Sequence, residues 1–434
     1  MQVFGSDGFR CKFGEKYMTP DFIYEFANSL AEYCITKGSG QPILIARDTR
    51  SSGVIVEDLI SGIFQYRGLN VVLCGILPTP GLSTVLATGN FSVGIMITAS
   101  HNPYYDNGIK LFGSDGFKLK ELDEAEIERK ILNPSKISFM EGDDFAEKTF
   151  VDGQRIYGNF VIEKFDIEEP ENTILVDCSN GACSNLVKEN LKKFANINFI
   201  NDTPNGRNIN LDCGALEAGK LLSKVISENY DYGVAFDGDG DRSIFVSRDY
   251  GIIESEKLLY LFYTLLKSSK ESNIVVATEI CNLALKHNLD DIGAVLIETS
   301  VGDRFVTEEV RKLNAVLGAE PSGHFYFPTA SKSMDGFLGL CHFLKLLETS
   351  GSNLTLQLSE LKHYDRIEKN INFQENDDLD LDSVKKKVLS QINPLEEKLI
   401  IRKSMWDPVL RIYYDYINEN RFNTIEKSIN DCLT

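Results

Sequence analysis

Short apolar runs recur along the chain, with room for a helix between one and the next. Residues 41–46, 71–74, 95–97, 173–176, 232–236, 274–277 and 315–317 each read as a buried strand. Helix-like segments separate them, the first opened by Thr19 as an N-cap with Pro20 in the first turn. Pro78-Thr79-Pro80 reads as a break. This alternation predicts α/β domains built on largely parallel sheets, with polar loops at the carboxyl ends of the strands, where open sheets bind ligands. Past about Lys362 the rhythm stops: residues 365–382 are rich in charge, a strand follows at 398–401, and a smaller α+β domain is expected to close the chain. The expected domains are 1–150, 151–248, 249–364 and 365–434.

Length agrees with several domains, because 434 residues exceed what one ordinary core organises. An apolar content of 43% with 25% charged residues is that of a globular protein. No apolar run is long enough to span a bilayer, and the opening Met1-Gln2-Val3-Phe4-Gly5 reads as no signal peptide. Nine cysteines without a CxxC pair fit a reduced chain with mostly buried thiols, so a cytoplasmic location is expected. The net charge of −19 argues against nucleic acid and anionic membranes as partners. An anionic ligand would therefore need locally concentrated cations.

Four polar segments carry candidate chemistry. Thr98-Ala99-Ser100-His101-Asn102-Pro103 ends a strand, and Lys110 follows it, which brings together a hydroxyl, an imidazole and an ammonium. Asp237-Gly238-Asp239-Gly240-Asp241-Arg242 sets three carboxylates on alternate residues, and the glycines let the backbone bend them onto one hard cation. A strand continues at Ser243, so a calcium loop of the EF-hand type does not fit; few oxygen ligands on a compact loop suit Mg²⁺. Glu320-Pro321-Ser322-Gly323-His324 offers an acid, a hydroxyl and an imidazole for sugar hydroxyls. Arg402-Lys403-Ser404, with Arg411 further on, suits phosphate, whose oxygens match guanidinium forks. The acidic loop fits a simple Asp-Gly turn poorly, because it sets three acids beside Arg242, whereas each of the other segments alone also reads as an ordinary turn. His287, His342 and His363 fall in helix-like segments and read as structural.

Taken in order over nearly the whole chain, these segments resemble the α-D-phosphohexomutase superfamily, and within it the phosphoglucosamine mutase group. The opening Phe4-Gly5-Ser6-Asp7-Gly8-Phe9-Arg10 is similar to the family's first loop, and the Ser100 segment to its phosphoserine loop. Asp237 to Arg242 resembles its metal loop, and Glu320 to His324 its sugar-recognition loop. The group assignment rests on Tyr104 to Lys110, Pro204 to Asn210 with Cys213-Gly214-Ala215, and Val301-Gly302-Asp303-Arg304.

The resemblance implies four domains around a central cleft, three α/β and one α+β. It implies interconversion of glucosamine 6-phosphate and glucosamine 1-phosphate through a phosphorylated Ser100 and a bisphosphorylated sugar, the latter also the activator. Asp237, Asp239, Asp241 and Ser100 would hold Mg²⁺. His101, Lys110, Arg242 and Arg10 would serve the transfer, Glu320, Ser322, His324 and Arg304 the sugar, and Arg402, Lys403, Ser404 and Arg411 the distal phosphate. A phosphosugar is the expected small-molecule partner, and a monomer or homodimer the expected assembly. Two departures stand out: Met405-Trp406-Asp407 replace Gly-Thr-Glu of relatives, and Glu298 stands where relatives often carry a base. The alternatives are the same chemistry on a neutral hexose phosphate, a Mg²⁺ phosphatase, and a non-catalytic phosphosugar-binding relative.

Overall fold

The computed structural model describes residues 3–5, 7–133, 145–269, 271–350, 353–372, 381–403, 409–417 and 421–433. Its strands form four sheets. In the first, the order is Phe9–Lys12, Asp106–Gly113, Val93–Ile97, Ile43–Arg47, Val71–Ile76 and Lys148–Phe150. The four strands from Val93–Ile97 to Lys148–Phe150 pair in parallel, while the first two are antiparallel additions. The sheet is thus less parallel than the alternation predicts. Asp106–Gly113 escapes a hydrophobicity reading because Asn107, Gly108 and Lys110 interrupt its apolar residues, and all three are buried. Lys110 accordingly stands on a strand, not on the loop.

The second sheet runs Gly251–Ile253, Ser243–Ser247, Tyr232–Phe236, Ile174–Asp177 and Ile197–Ile200. Because Gly251–Ile253 pairs with Ser243–Ser247, this sheet continues past residue 248 to Ile253. The third runs Val295–Thr299, Ile274–Thr278, Leu317–Glu320 and His324–Tyr326. The fourth is antiparallel, in the order Asp365–Asn372, Val409–Tyr416 and Glu397–Lys403, with helices Leu381–Leu389 and Phe422–Leu433 beside it. The architecture is three α/β domains and a smaller α+β domain.

Local chemistry explains the helix starts. Thr19 Oγ1 accepts from Phe22 N at 3.3 Å and opens the helix Pro20–Lys37, whose last turn closes on Gly38 at φ +68°. Pro78-Thr79-Pro80 is not a break but the start of the helix Thr79–Thr88, where a proline in the first turn forfeits no intrahelical bond.

One apolar cluster runs without interruption through the first three domains, from Leu44 and Met96 through Val176 and Phe236 to Phe325 and Phe337. The fourth domain has its own core around Val388, Ile412 and Ile429. Polar contacts fix it to the third: Arg366 Nη1 donates to Ile280 O at 2.7 Å, Asp415 Oδ2 accepts from Leu283 N at 2.8 Å, and Lys398 Nζ donates to Cys281 O at 2.7 Å. Burial of apolar area joins the first three, whereas directional bonds join the last. His342 is buried among aromatic rings in the helix Gly336–Ser350, and His287 lies in Leu283–Asp290. His363 lies outside any helix, 3.4 Å from Glu254. Of the eight described cysteines, all are free thiols and all but Cys11 are buried. No described helix is long and apolar enough to cross a membrane.

Candidate active site

The strand Val93–Ile97 is buried throughout and delivers the chain to Thr98-Ala99-Ser100. Ser100 is 1% exposed and adopts φ +50°, a left-handed conformation unusual for a residue with a β-carbon. Its Oγ donates to Asp237 Oδ2 at 2.6 Å and lies 3.3 Å from His101 Nδ1. Thr98 Oγ1 accepts from Ser100 N at 2.9 Å and itself donates to Asp48 Oδ2 at 2.7 Å. Burial, then the nearby Arg242 and Arg10 charges, hold the His101 pKa down at about 3, so its imidazole is neutral.

Tyr232–Phe236, also buried throughout, carries the acidic loop to the same place. Asp237, Asp239 and Asp241 are buried, and one ligand oxygen of each lies within 4.8 Å of the others. Gly240 at φ +71° makes the bend. Asp237 Oδ1 accepts from Gly240 N at 3.1 Å and Arg242 N at 3.3 Å, while Asp239 Oδ2 accepts from Thr79 Oγ1 at 2.5 Å and Lys110 Nζ at 2.8 Å. Asp239 Oδ1, by contrast, is buried with no hydrogen-bond partner. Burial and its two acidic neighbours drive the Asp237 pKa well above the usual carboxylate range. Three converging carboxylates with one unsatisfied oxygen fit a divalent cation, which would relieve that repulsion.

Cations gather around this centre. Lys110 Nζ also sits 2.9 Å from Asp241 Oδ2 and 3.1 Å from Asp7 Oδ2. Burial opposes its charge, but Asp239, Asp241 and Asp7 outweigh that and raise its pKa well above normal. Arg10 Nη2 donates to Asp7 Oδ2 at 2.7 Å, and Arg242 Nε lies 3.8 Å from Asp237 Oδ2. In the third domain, His324 Nδ1 is 2.9 Å from both Glu320 Oε2 and Ser322 Oγ, and Nε2 is 3.2 Å from Asp241 Oδ1. Despite burial and Arg242, the two acids push the His324 pKa up to about 10. Gly323, at φ +88°, leaves no room for a β-carbon beside Ser243 O. Arg10, Arg242, Glu320, His324 and Arg402, drawn from all four domains, line one cleft of about 540 Å³.

Not every expected residue is free to meet a ligand. Arg304 also lines the cleft, but its Nη2 donates to both oxygens of Glu124 at 2.8 Å, an ion pair 4% and 6% exposed. It therefore ties the third domain to the first. Arg402 and Arg411 are cross-strand partners on one face of the fourth sheet, whereas Lys403, paired with Leu410, holds a register position on the opposite face. Glu298 forms an ion pair with Lys398. Ser404, Met405, Trp406 and Asp407 lie outside the described residues, as does Ser6.

Arg304→Ala is expected to destabilise the protein by about 3 kcal/mol, since it strands a buried carboxylate. Burial already lifts Glu124 to about 7 against the pull of Arg304. A raised carboxyl pKa means the folded state binds the extra proton, so stability falls as pH rises from the ordinary carboxylate range through the folded value. Without Arg304 that pKa rises further, so the loss in melting temperature should be larger at pH 8 than at pH 5; equal losses would show that the pair is not what holds the interface.

Several residues at the centre are not among the expected site residues. Asp7 collects Arg10, Lys110 and Lys118; burial opposes its charge, yet those cations hold its carboxyl far below the usual range. Lys118 Nζ reaches Asp303 at 2.6 Å as well. Thr79 positions Asp239, and Arg50 and Asn210 hold the Ser100 backbone. The available sign was their setting: Arg50 follows a buried strand, and Asn210 belongs to a polar segment singled out by resemblance alone.

Three family models match the chain in order: phosphoglucomutase/phosphomannomutase α/β/α domain I over residues 1–138, domain II over 155–251 and domain III over 254–364. A phosphoglucosamine mutase of Solibacter usitatus is 33% identical over 448 aligned positions, covering 99% of this chain and 98% of that one. One from Ruthia magnifica is 33% identical over 419, covering 94% of each. Among solved structures, a phosphoglucomutase/phosphomannomutase family protein of Burkholderia thailandensis superposes with a TM-score of 0.83 at 19% identity, over 99% of this chain and 96% of that one.

Proposed function

This chain belongs to the α-D-phosphohexomutase superfamily and, within it, groups with the bacterial-type phosphoglucosamine mutases; on that premise we propose that it interconverts glucosamine 6-phosphate and glucosamine 1-phosphate through a phosphorylated Ser100. The observation that carries the reading is Ser100 Oγ, buried and 2.6 Å from Asp237 Oδ2 within the acidic triad.

In this reading the phosphoryl group of Ser100 passes to the free hydroxyl of the sugar phosphate. The P–Oγ bond breaks, the bond from phosphorus to the sugar oxygen forms, and the hydroxyl proton leaves. His101, 3.3 Å from Ser100 Oγ, is the group we assign to take that proton. Lys110, Arg242 and Arg10 meet the transferring oxygens. Mg²⁺ held by Asp237, Asp239 and Asp241, with the Ser100 phosphate, would supply charge against those oxygens. Glu320, Ser322 and His324 orient the sugar, and Arg402 and Arg411 grip the distal phosphate. The bisphosphorylated sugar then turns end for end, and its other phosphoryl group returns to Ser100 Oγ. The distal clamp thus accepts either phosphate while the transfer centre stays fixed. The same bisphosphate would recharge an enzyme that has lost its phosphate. The working protein would be cytoplasmic, as a monomer or homodimer.

The test is a substrate panel with Mg²⁺ and the activating bisphosphate. Glucosamine phosphates are expected to exceed glucose and mannose phosphates by about tenfold or more in kcat/KM, the discrimination a site built around a polar substituent provides. A preference for a neutral hexose phosphate would overturn the substrate assignment, and net release of phosphate would point to a phosphatase.

A further inference from the structure

Ser100 can face Asp237 only because its backbone turns left-handed at φ +50°, and what holds that turn comes from two domains. From the first, Arg50 is fully buried and anchored through Nε to Asp48 Oδ2 at 2.9 Å. Its Nη2 donates to Ser100 O at 2.9 Å and to Asn102 O at 2.8 Å, and Nη1 donates to Asp106 O at 3.0 Å and to Pro103 O. From the second, Asn210 Nδ2 donates to the same two carbonyls, at 2.9 Å from Ser100 O and 3.0 Å from Asn102 O. Asn210 is itself left-handed, at φ +56°, and its N–H donates to Ser179 O at 2.9 Å. The acidic loop packs onto the same junction. A β-carbon at Gly238 would come 2.6 Å from Ser100 O and 2.8 Å from Asn210 Nδ2.

We propose that Arg50 and Asn210 are positioning residues that clamp the carbonyls of Ser100 and Asn102 from opposite domains, so that the serine oxygen meets the acidic loop only while the first and second domains are docked. The clamp rests on the phosphoserine reading above. Its physical content is simple. Two carbonyls of a tight loop each accept two hydrogen bonds, one from a buried cation and one from a carboxamide. With both lone pairs of each oxygen engaged, the peptide planes that follow Ser100 and Asn102 are held against rotation, while Thr98 Oγ1 holds the N–H of Ser100, and the Oγ direction is fixed. Removing the carboxamide frees one side, and an error of about 1 Å in a transferring group costs on the order of 100-fold in rate.

Asn210→Gly is the clean variant, because glycine keeps the left-handed backbone and deletes only the carboxamide. Asn210→Asp is its complement: it keeps the size but turns an oxygen toward the two carbonyls. Both are expected to lower kcat by about 10- to 100-fold at unchanged KM, and to shorten the lifetime of the phosphate on Ser100, followed by intact mass after charging with glucosamine 1,6-bisphosphate. Their melting temperatures should stay close to that of the unaltered protein. Wild-type kcat and wild-type phosphate lifetime in both variants would overturn the clamp. So would a parallel loss of stability, kcat and substrate affinity, which marks a merely structural residue. If the unaltered protein itself never carries phosphate on Ser100, the phosphoserine reading fails first and the clamp falls with it, a result distinguishable from the others because it appears before any substitution.

Discussion

Ser100→Ala should lower kcat with glucosamine 6-phosphate by at least about 10⁴-fold, the scale seen when a covalent nucleophile is deleted. The expectation follows from where the oxygen sits. Ser100 Oγ is the hydroxyl that donates to Asp237, and its burial leaves little room for water to replace it in an aligned position. The substitution has a second, smaller effect. Alanine in the left-handed region costs about 1 kcal/mol, and serine already bears that cost at φ +50°. The fold should therefore persist, and the loss of rate should not track a loss of protein. Two readouts separate a nucleophile from a scaffold residue: intact mass should show no phosphate after exposure to the bisphosphate, and Mn²⁺ used as a probe of the acidic loop should still bind. Turnover within about tenfold of the unaltered enzyme would sink the phosphoserine assignment.

How far the sequence revealed this centre depends on what each residue has to say locally. Ser100 and the three acids announce themselves, because a polar loop ending an apolar strand and carboxylates on alternate residues are patterns within a few positions. The buried strands at 43–47, 93–97 and 232–236 are legible for the same reason. Asp106–Gly113 was not, because its polar residues serve the site and spoil the apolar alternation by which strands are recognised. Pro78-Thr79-Pro80 misled because proline marks both a break and a first turn, and only the following residues decide between them. Asp7, Thr79, Arg50 and Asn210 act across 50 to 160 positions of sequence, as in the bond between Thr79 and Asp239. Such pairings belong to the packing of domains, and no local pattern encodes them. Arg304 shows the converse: a motif drew attention to it, yet its guanidinium is committed to Glu124.

Asp239→Asn should abolish the response to Mg²⁺ and lower kcat by about 10³-fold or more, since the variant keeps the shape of the loop and removes one charge from the cation's seat. Asp239 is the informative member of the triad because its two oxygens have different surroundings. Oδ2 is held by Thr79 and Lys110, so the side chain is oriented by the protein alone; Oδ1 is buried and has no partner. A buried carboxylate oxygen left unsatisfied is costly, and a divalent cation is the ligand that would satisfy it. Two effects oppose each other in the metal-free variant. Removing one of three clustered negative charges relieves the repulsion that raises Asp237, while Lys110 loses one of its three carboxylate partners. Because these act in opposite directions, melting temperature without metal should change little. The decisive comparison is the increment on adding Mg²⁺. A cation at about 100 times its dissociation constant stabilises the protein that binds it by about 2.7 kcal/mol. The unaltered chain should therefore melt higher in Mg²⁺ and the variant should not. An Asp239→Asn protein that keeps the full Mg²⁺ increment would place the cation elsewhere, whatever its activity, because the increment reports binding and the rate reports chemistry.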